Sequence, residues 1–355
     1  MTALQQQAEP SNAEPGGERA RRQLPPLPRL GETGGVVVAL VILMVVSSIA
    51  QPAFFTWPNL MNIVGANSVA MSLAIGSTFV IIAGGIDLSV VSMTAATGMG
   101  LGLLLSSGAP TVVCVLGALA VGAGLGVVNG LLISRLRISF LVVTLGMASI
   151  AASLALVVKN GSTVDVFTEP AFGPVHTFAT GDVGPVPIIL LFDVLLILVT
   201  AGVLRYTRFG RSVFAVGSNA EAARLNGINV KNTTAAVYAL AGLAAGIGSV
   251  VQVGRLTGAS PQIDPSLLNG VLAAVLIGGT SFSGGKGSIW GTVLGVLFLG
   301  VVQNIMTLAD ISSFWRQAVN GLLLILAVGL SAARWKSLRR RPAAETAAAL
   351  AEEPR

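Results

Sequence analysis

The chain has 355 residues, 53% hydrophobic and only 10% charged, with a formal net charge of +6 and a mean hydropathy of +0.82. So little polar surface cannot cover a soluble domain of this length, which leaves the bilayer as the solvent for most of the chain. The sequence pI near 10.2 does not point to nucleic acid, because the basic residues are divided among loops between apolar runs and no stripe of aromatic and basic side chains is present.

Residues 1–33 hold Pro25, Pro26, Pro28, Gly16, Gly17 and several charges, without the apolar core of a signal peptide. They are expected to form a disordered cytoplasmic tail. A transmembrane domain follows over 34–331, with hydrophobic spans near 35–51, 60–83, 87–107, 110–133, 140–158, 186–204, 233–253, 267–279, 287–307 and 313–331. Each is close to the ~20 residues that carry a helix across ~30 Å of hydrocarbon, and none alternates with the period of two that marks a barrel. The expected fold is all-α, a polytopic membrane protein with about ten transmembrane helices. Small residues such as Gly98, Gly100 and Gly102, or Gly122, Gly124 and Gly126, allow close helix packing in lipid. Trp57, Trp290, Trp315 and Trp335 all fall at span ends, where indole rings prefer the headgroup boundary. Residues 332–355, with Arg339 to Arg341, read as a second solvated tail.

Ten crossings return the chain to its starting side, and eighteen of its 21 basic residues fall on that side. Lys159, Arg255 and Arg316 are the exceptions. Basic loops stay in the cytoplasm, so both termini are expected there.

Two connections are long. Residues 159–185, on the outer side, contain Asp165, Glu169, Asp182 and His176, the single histidine. One histidine among scattered carboxylates favours a docking surface over a metal site. Cys114 stands alone within a span, which excludes an internal disulfide. No metal or cofactor is expected. The cytoplasmic connection, 205–232, contains a helix of about two turns. Ser218 is expected to cap the amide of Glu221 while the Glu221 carboxylate returns to the amide of Ser218, and Gly227 supplies the stop. Its Ala220, Ala222, Ala223 and Leu225 are apolar, edged by Arg224. A helix this short needs support, so it either lies on the membrane and its own bundle or inserts into a groove on a soluble partner.

Polar groups within the spans mark functional positions. Asp87 with Ser89 is placed to cap the third span or to contact solute. Asp193, a third of the way into the sixth span, faces a helix gap or a water-filled path. Asn129, Gln252, Asn269 and Asn304 are either interhelical hydrogen-bonding groups or path-lining ones. Chemistry on a substrate is not supported. GTSFSGGKGS fails as a phosphate-cradling loop, since Thr280 stands at the first glycine position and Gly287 replaces the magnesium-holding hydroxyl.

Four stretches carry a family likeness: GGIDLSV at 84–90, SRLRISFLVVTLG at 134–146, TRFGRSVFAVGSNAEAARLNGINV at 207–230 and LAAVLIGGTSFSGGKGSIWGTVLG at 272–295. In these the chain resembles the ribose-type monosaccharide permeases, the membrane subunits of ATP-binding-cassette sugar importers. The resemblance implies a type II importer bundle of about ten spans and a second permease subunit, identical or paralogous. It also implies two cytoplasmic ATPase domains, an extracytoplasmic sugar-binding protein and a location in a bacterial inner membrane. It places Ser218, Asn219, Glu221, Ala222, Arg224, Leu225 and Gly227 in the helix that couples to the ATPase, and GGIDLS near the translocation path. Candidate path residues are Asp87, Ser89, Asn129, Asp193, Asn269 and Asn304. Leu268-Asn269-Gly270 departs from the acidic pair common in relatives. Small neutral polyols suit a path of Gly, Ser and Asn without fixed charge. The rival expectations are a permease of the same architecture for nucleosides, a furanose signalling molecule or branched-chain amino acids. An ion-coupled transporter relying on Asp87 and Asp193 is a further rival.

Overall fold

In hydrocarbon every backbone N–H and C=O must be paired within the protein, so long apolar runs become helices. The computed structural model describes residues 34–312 and 314–329; the two expected tails lie outside the described residues. In order, the chain forms α1 (Gly34–Ala50), α2 (Trp57–Ile82), α3 (Val90–Ser106), α4 (Thr111–Ser134), α5 (Phe140–Val157) and α6 (Gly173–Thr180). Then come α7 (Ile188–Tyr206), α8 (Arg208–Ser218), α9 (Ala220–Leu225), α10 (Val230–Leu256), α11 (Ser266–Ile277) and α12 (Ile289–Leu308), followed by α13 (Phe314–Gly329). Six of these, α2, α4, α5, α7, α10 and α12, are long and apolar enough to cross a membrane, and α1, α3, α11 and α13 are shorter apolar helices. Together they match the ten expected spans.

Helices α2 and α10 form the centre. The apolar stretch of α2 is 78% buried, against 22% for α4 and α7, which turn most of their Val and Leu side chains outward. Leu73, Phe79 and Ile82 of α2 meet Tyr238 and Ala241 of α10 and Val271 of α11 in one apolar cluster. Exposed apolar faces on peripheral helices are what a lipid surround requires, since lipid tails solvate them as well as a core would.

The most extensive helix contact is a seam between α4 and α10. Gly122, Gly126 and Gly130 recur every four residues and so share one face; opposite them lie Gly242, Tyr238 and Ala235 of α10. A Cβ on Gly122 or Gly126 would collide with the Gly242 or Tyr238 carbonyl oxygen, and one on Gly130 would stand 2.6 Å from Ala235 Cα. The expected use of glycine for close approach therefore holds at Gly122 and Gly126. It fails at Gly124 of α4 and Gly100 of α3, where nothing lies within 4 Å, because the helical period turns each away from the face on which its neighbouring glycines pack.

The long connection between α5 and α7 is more structured than a plain loop. It holds β1 (Val164–Asp165), α6, and a hairpin of β2 (Asp182–Val183) and β3 (Val186–Pro187). β1 pairs antiparallel with β4 (Gly258–Ala259), the strand after α10. His176 Nδ1 donates to the Gly254 carbonyl at 2.8 Å, and Trp57 Nε1 donates to the Pro185 carbonyl at 2.9 Å. No group of three metal-binding side chains occurs among the described residues.

Candidate functional site

Three regions carry the polar and exposed groups. The first is the end of the bundle remote from Trp57, roughly 39 Å away along the 26 residues of α2. There α2 stops in a Schellman turn: Gly84 N donates to Ile81 O and Gly85 N to Val80 O, each at 3.0 Å, with Gly84 at φ 84. The glycine-rich loop 278–288 reaches the same place, and Gly285 N donates to Ile82 O at 2.8 Å. Gly217, one residue from the end of α8, closes the knot. A Cβ there would collide with Ile82 O and lie 2.7 Å from Gly285 N. The GTSFSGGKGS run is thus a packing loop whose glycines let three backbones meet.

Helix α8 starts at Thr207, whose Oγ1 accepts from Gly210 N at 3.1 Å, and it buries Val213 and Val216. This helix is an addition to the single short one expected within 205–232. Asn219 then serves both helices: it ends α8 and caps α9, its Oδ1 accepting from Ala222 N at 2.9 Å. The expected reciprocal capping by Ser218 and Glu221 is therefore corrected. Ser218 is the last residue of α8, which shifts the cap by one position, and Glu221 pairs with Arg224 instead. Arg224 Nη2 and Nε donate to the two carboxylate oxygens at 2.6 and 3.0 Å. These hydrogen bonds, with the neighbouring positive charge, hold the Glu221 carboxyl below its usual range. Gly227, at φ 80, stops the helix as expected, with Gly227 N donating to Arg224 O and Ile228 N to Ala223 O, each at 3.0 Å. Within α9 only Ala223 is buried, and Leu225 is 73% exposed.

The second region comprises the expected path residues, which the fold separates. Asp87, Ser89 and Asn129 come together: Ser89 N donates to Asp87 Oδ1 at 2.8 Å, Ser89 Oγ donates to the same oxygen, and Asn129 Nδ2 donates to Ser89 Oγ at 2.9 Å. All three are buried. Asp87 braces the α2–α3 turn against α4; the amide it accepts from is that of Ser89, the residue just before α3, and Ser89 itself makes no side-chain cap to the helix. Asp193 lies elsewhere, buried, accepting from Ser68 Oγ of α2 at 2.7 Å. Asn304 exchanges two hydrogen bonds with Asn59, at 2.8 and 3.0 Å, tying α12 to α2. Asn269 is partly buried on α11.

The third region is a cavity of about 460 Å³ between α2, α10, α11, α12 and α13, toward the end that holds Trp57 and β4. None of the six path residues chosen from sequence lines it. Its polar wall includes Asn67, Gln252, Gln303 and Asn320, with Arg255, Arg316 and the single acid Asp264. Gln303 Nε2 donates to Asn320 Oδ1 at 3.4 Å, and Asn320 Nδ2 donates to the Ser266 carbonyl at 3.3 Å. The expectation of a solute path without fixed charge does not describe this cavity, which carries two guanidinium groups. Gln252 was legible as a polar group in a span. Arg255 and Arg316 also had a signal, as two of the three basic residues that defy the charge bias.

Ten apolar helices among the described residues, eight of them around the central α2 and α10, with a polar cavity near one end, define the class: a polytopic α-helical membrane protein. The chain belongs to the family described as "Branched-chain amino acid transport system / permease component", whose model matches residues 59–328. It is 38% identical over 295 residues to the ribose import permease protein RbsC of Escherichia coli K12, covering 82% of this chain and 91% of that one. It is 33% identical over 294 residues to the L-arabinose ABC transporter permease protein AraH of Azospirillum brasilense, covering 83% and 86% of the two chains. With the D-allose transport system permease protein AlsC of Escherichia coli K12 it shares 31% identity over 298 residues, covering 84% and 90%. The likeness to ribose-type permeases read from the four motifs is borne out.

Proposed function

We propose that the chain is the non-catalytic, membrane-spanning subunit of an ATP-binding-cassette importer for a monosaccharide. It works beside a second permease subunit, receives solute from an extracytoplasmic binding protein and is driven by two separate ATPase domains. The ribose, arabinose and allose permeases among its relatives support the solute class. The charge bias supports an orientation with both termini, α8 and α9 in the cytoplasm of a bacterial cell, and the cavity toward the outer side. Alternating access then needs a handle by which the ATPase moves the bundle.

The observation that carries this reading is α9. It is far too short to be stable alone, it exposes Leu225, Ala222 and the Glu221–Arg224 pair, and it is joined through Asn219 to α8, whose Gly217 is locked against the end of α2. An exposed short helix rigidly attached to a central one suits helix-in-groove docking and transmits force rather than absorbing it. Arg224→Glu, or removal of 218–227, is expected to leave the protein inserted while abolishing association with the ATPase. Normal co-purification of either variant with the ATPase would overturn the coupling role. Uptake that persists without ATP and collapses with an ion gradient would overturn the importer reading itself.

A further inference from the structure

We infer that the 460 Å³ cavity recognises a hydroxylated solute bearing a carboxylate, a sugar acid of the aldonate type, through Arg255 and Arg316. The inference rests on the permease reading and narrows its solute class. The volume lies within the ~300–1,000 Å³ usual for small-molecule sites. Amide side chains of Asn67, Gln252, Gln303 and Asn320 offer donors and acceptors suited to hydroxyl groups.

The two arginines demand more than hydroxyls. Arg255 is half-buried in the last turn of α10, and the Glu221–Arg224 contact is the one salt bridge among the described residues. Room for its guanidinium is built into the facing helix: a Cβ on Gly65 of α2 would come within 2.5 Å of Arg255 Nη1. Arg316 Nη2 donates to Thr307 Oγ1 at 3.1 Å, while its Nε is buried with no partner among the described residues. Asp264 is the one acid on the lining, and its Oδ1 is engaged by Ser266 N at 2.8 Å at the start of α11. The wall thus carries two permanent cations against one acid. A half-buried guanidinium is partly desolvated, which costs energy when no counter-charge faces it, and a planar carboxylate is the group whose two oxygens match its donor fork. A neutral sugar leaves that demand unmet.

The test uses the full-length chain with its ATPase in lipid nanodiscs, titrated calorimetrically with D-ribonate, D-ribose, acetate and chloride. Ribonate is expected to bind about tenfold or more tightly than ribose, the effect of one added charge-assisted hydrogen bond. Acetate and chloride are expected to bind more weakly than both. Arg316→Gln should bring ribonate close to ribose, and Arg255→Lys, which keeps the charge but not the fork, should reduce the preference in part. Equal affinity for ribose and ribonate, binding of neither, acetate or chloride matching ribonate, or an unchanged preference in Arg316→Gln would each overturn the inference. ATPase co-purification from the same preparation reports on the permease reading separately. An intact complex without ribonate preference refutes the solute class alone.

Discussion

Gly217 has no room for a methyl group, because the Ile82 carbonyl occupies that position. Gly217→Ala is expected to lower stability by about 1–3 kcal/mol through overpacking, read as a fall in the thermal unfolding midpoint in detergent. Asn304→Ala leaves Asn59 without its partner side chain and is expected to cost about 1 kcal/mol, the scale of interhelical hydrogen bonds in bilayers. Denaturant titration of the two proteins checks it. At this scale the sequence marks which residues are polar and misplaced, but not what they meet. Asn304 and Asn59 stand 245 positions apart, and no local spacing reports such a pairing. The cap of α9 was misplaced by one residue for a similar reason. Ser218 and Asn219 are both able caps, and only the presence of α8, disguised by its own two glycines, decides between them.

Helices were legible wherever the apolar run was long, since the bilayer leaves the chain no alternative. Faces were legible less often. Gly122, Gly124 and Gly126 look equivalent as letters, yet the helical period sends the middle one away from α10. Gly126→Ala is expected to destabilise by about 1–3 kcal/mol, whereas Gly124→Ala leaves the unfolding midpoint unchanged or raises it slightly. Parallel melts of the two variants separate seam from surface. In α9 the carboxyl of Glu221 is held below its usual range by Arg224, so the pair is intact above the ordinary carboxylate range and is lost only as pH falls through the lowered value. Carbon-13 titration of the Glu221 carboxyl should show a midpoint that rises toward the ordinary glutamate value in Arg224→Ala.

The whole molecule places its two exposed ends on opposite faces: α8, α9 and loop 278–288 at one, and the β1–β4 and β2–β3 strand pairs at the other. Cys114 is buried, which leaves little background for labelling. An impermeant thiol reagent is expected to modify Leu225→Cys only from the cytoplasmic side and Val183→Cys, at a position 61% exposed, only from outside. The reverse pattern would invert the proposed orientation. The span ladder made the ten apolar helices legible from sequence. The cavity was not, because it is assembled from five helices whose lining residues are scattered from Ala66 to Asn320.

Where α4 lies backbone to backbone on α10, at Gly122, Gly126 and Gly242, few side chains stand between them to exchange rotamers or slip past one another. The two helices must travel as a single strut. Opening and closing then falls to the side-chain-filled boundaries around them, so the hinge of any transport cycle lies outside this pair.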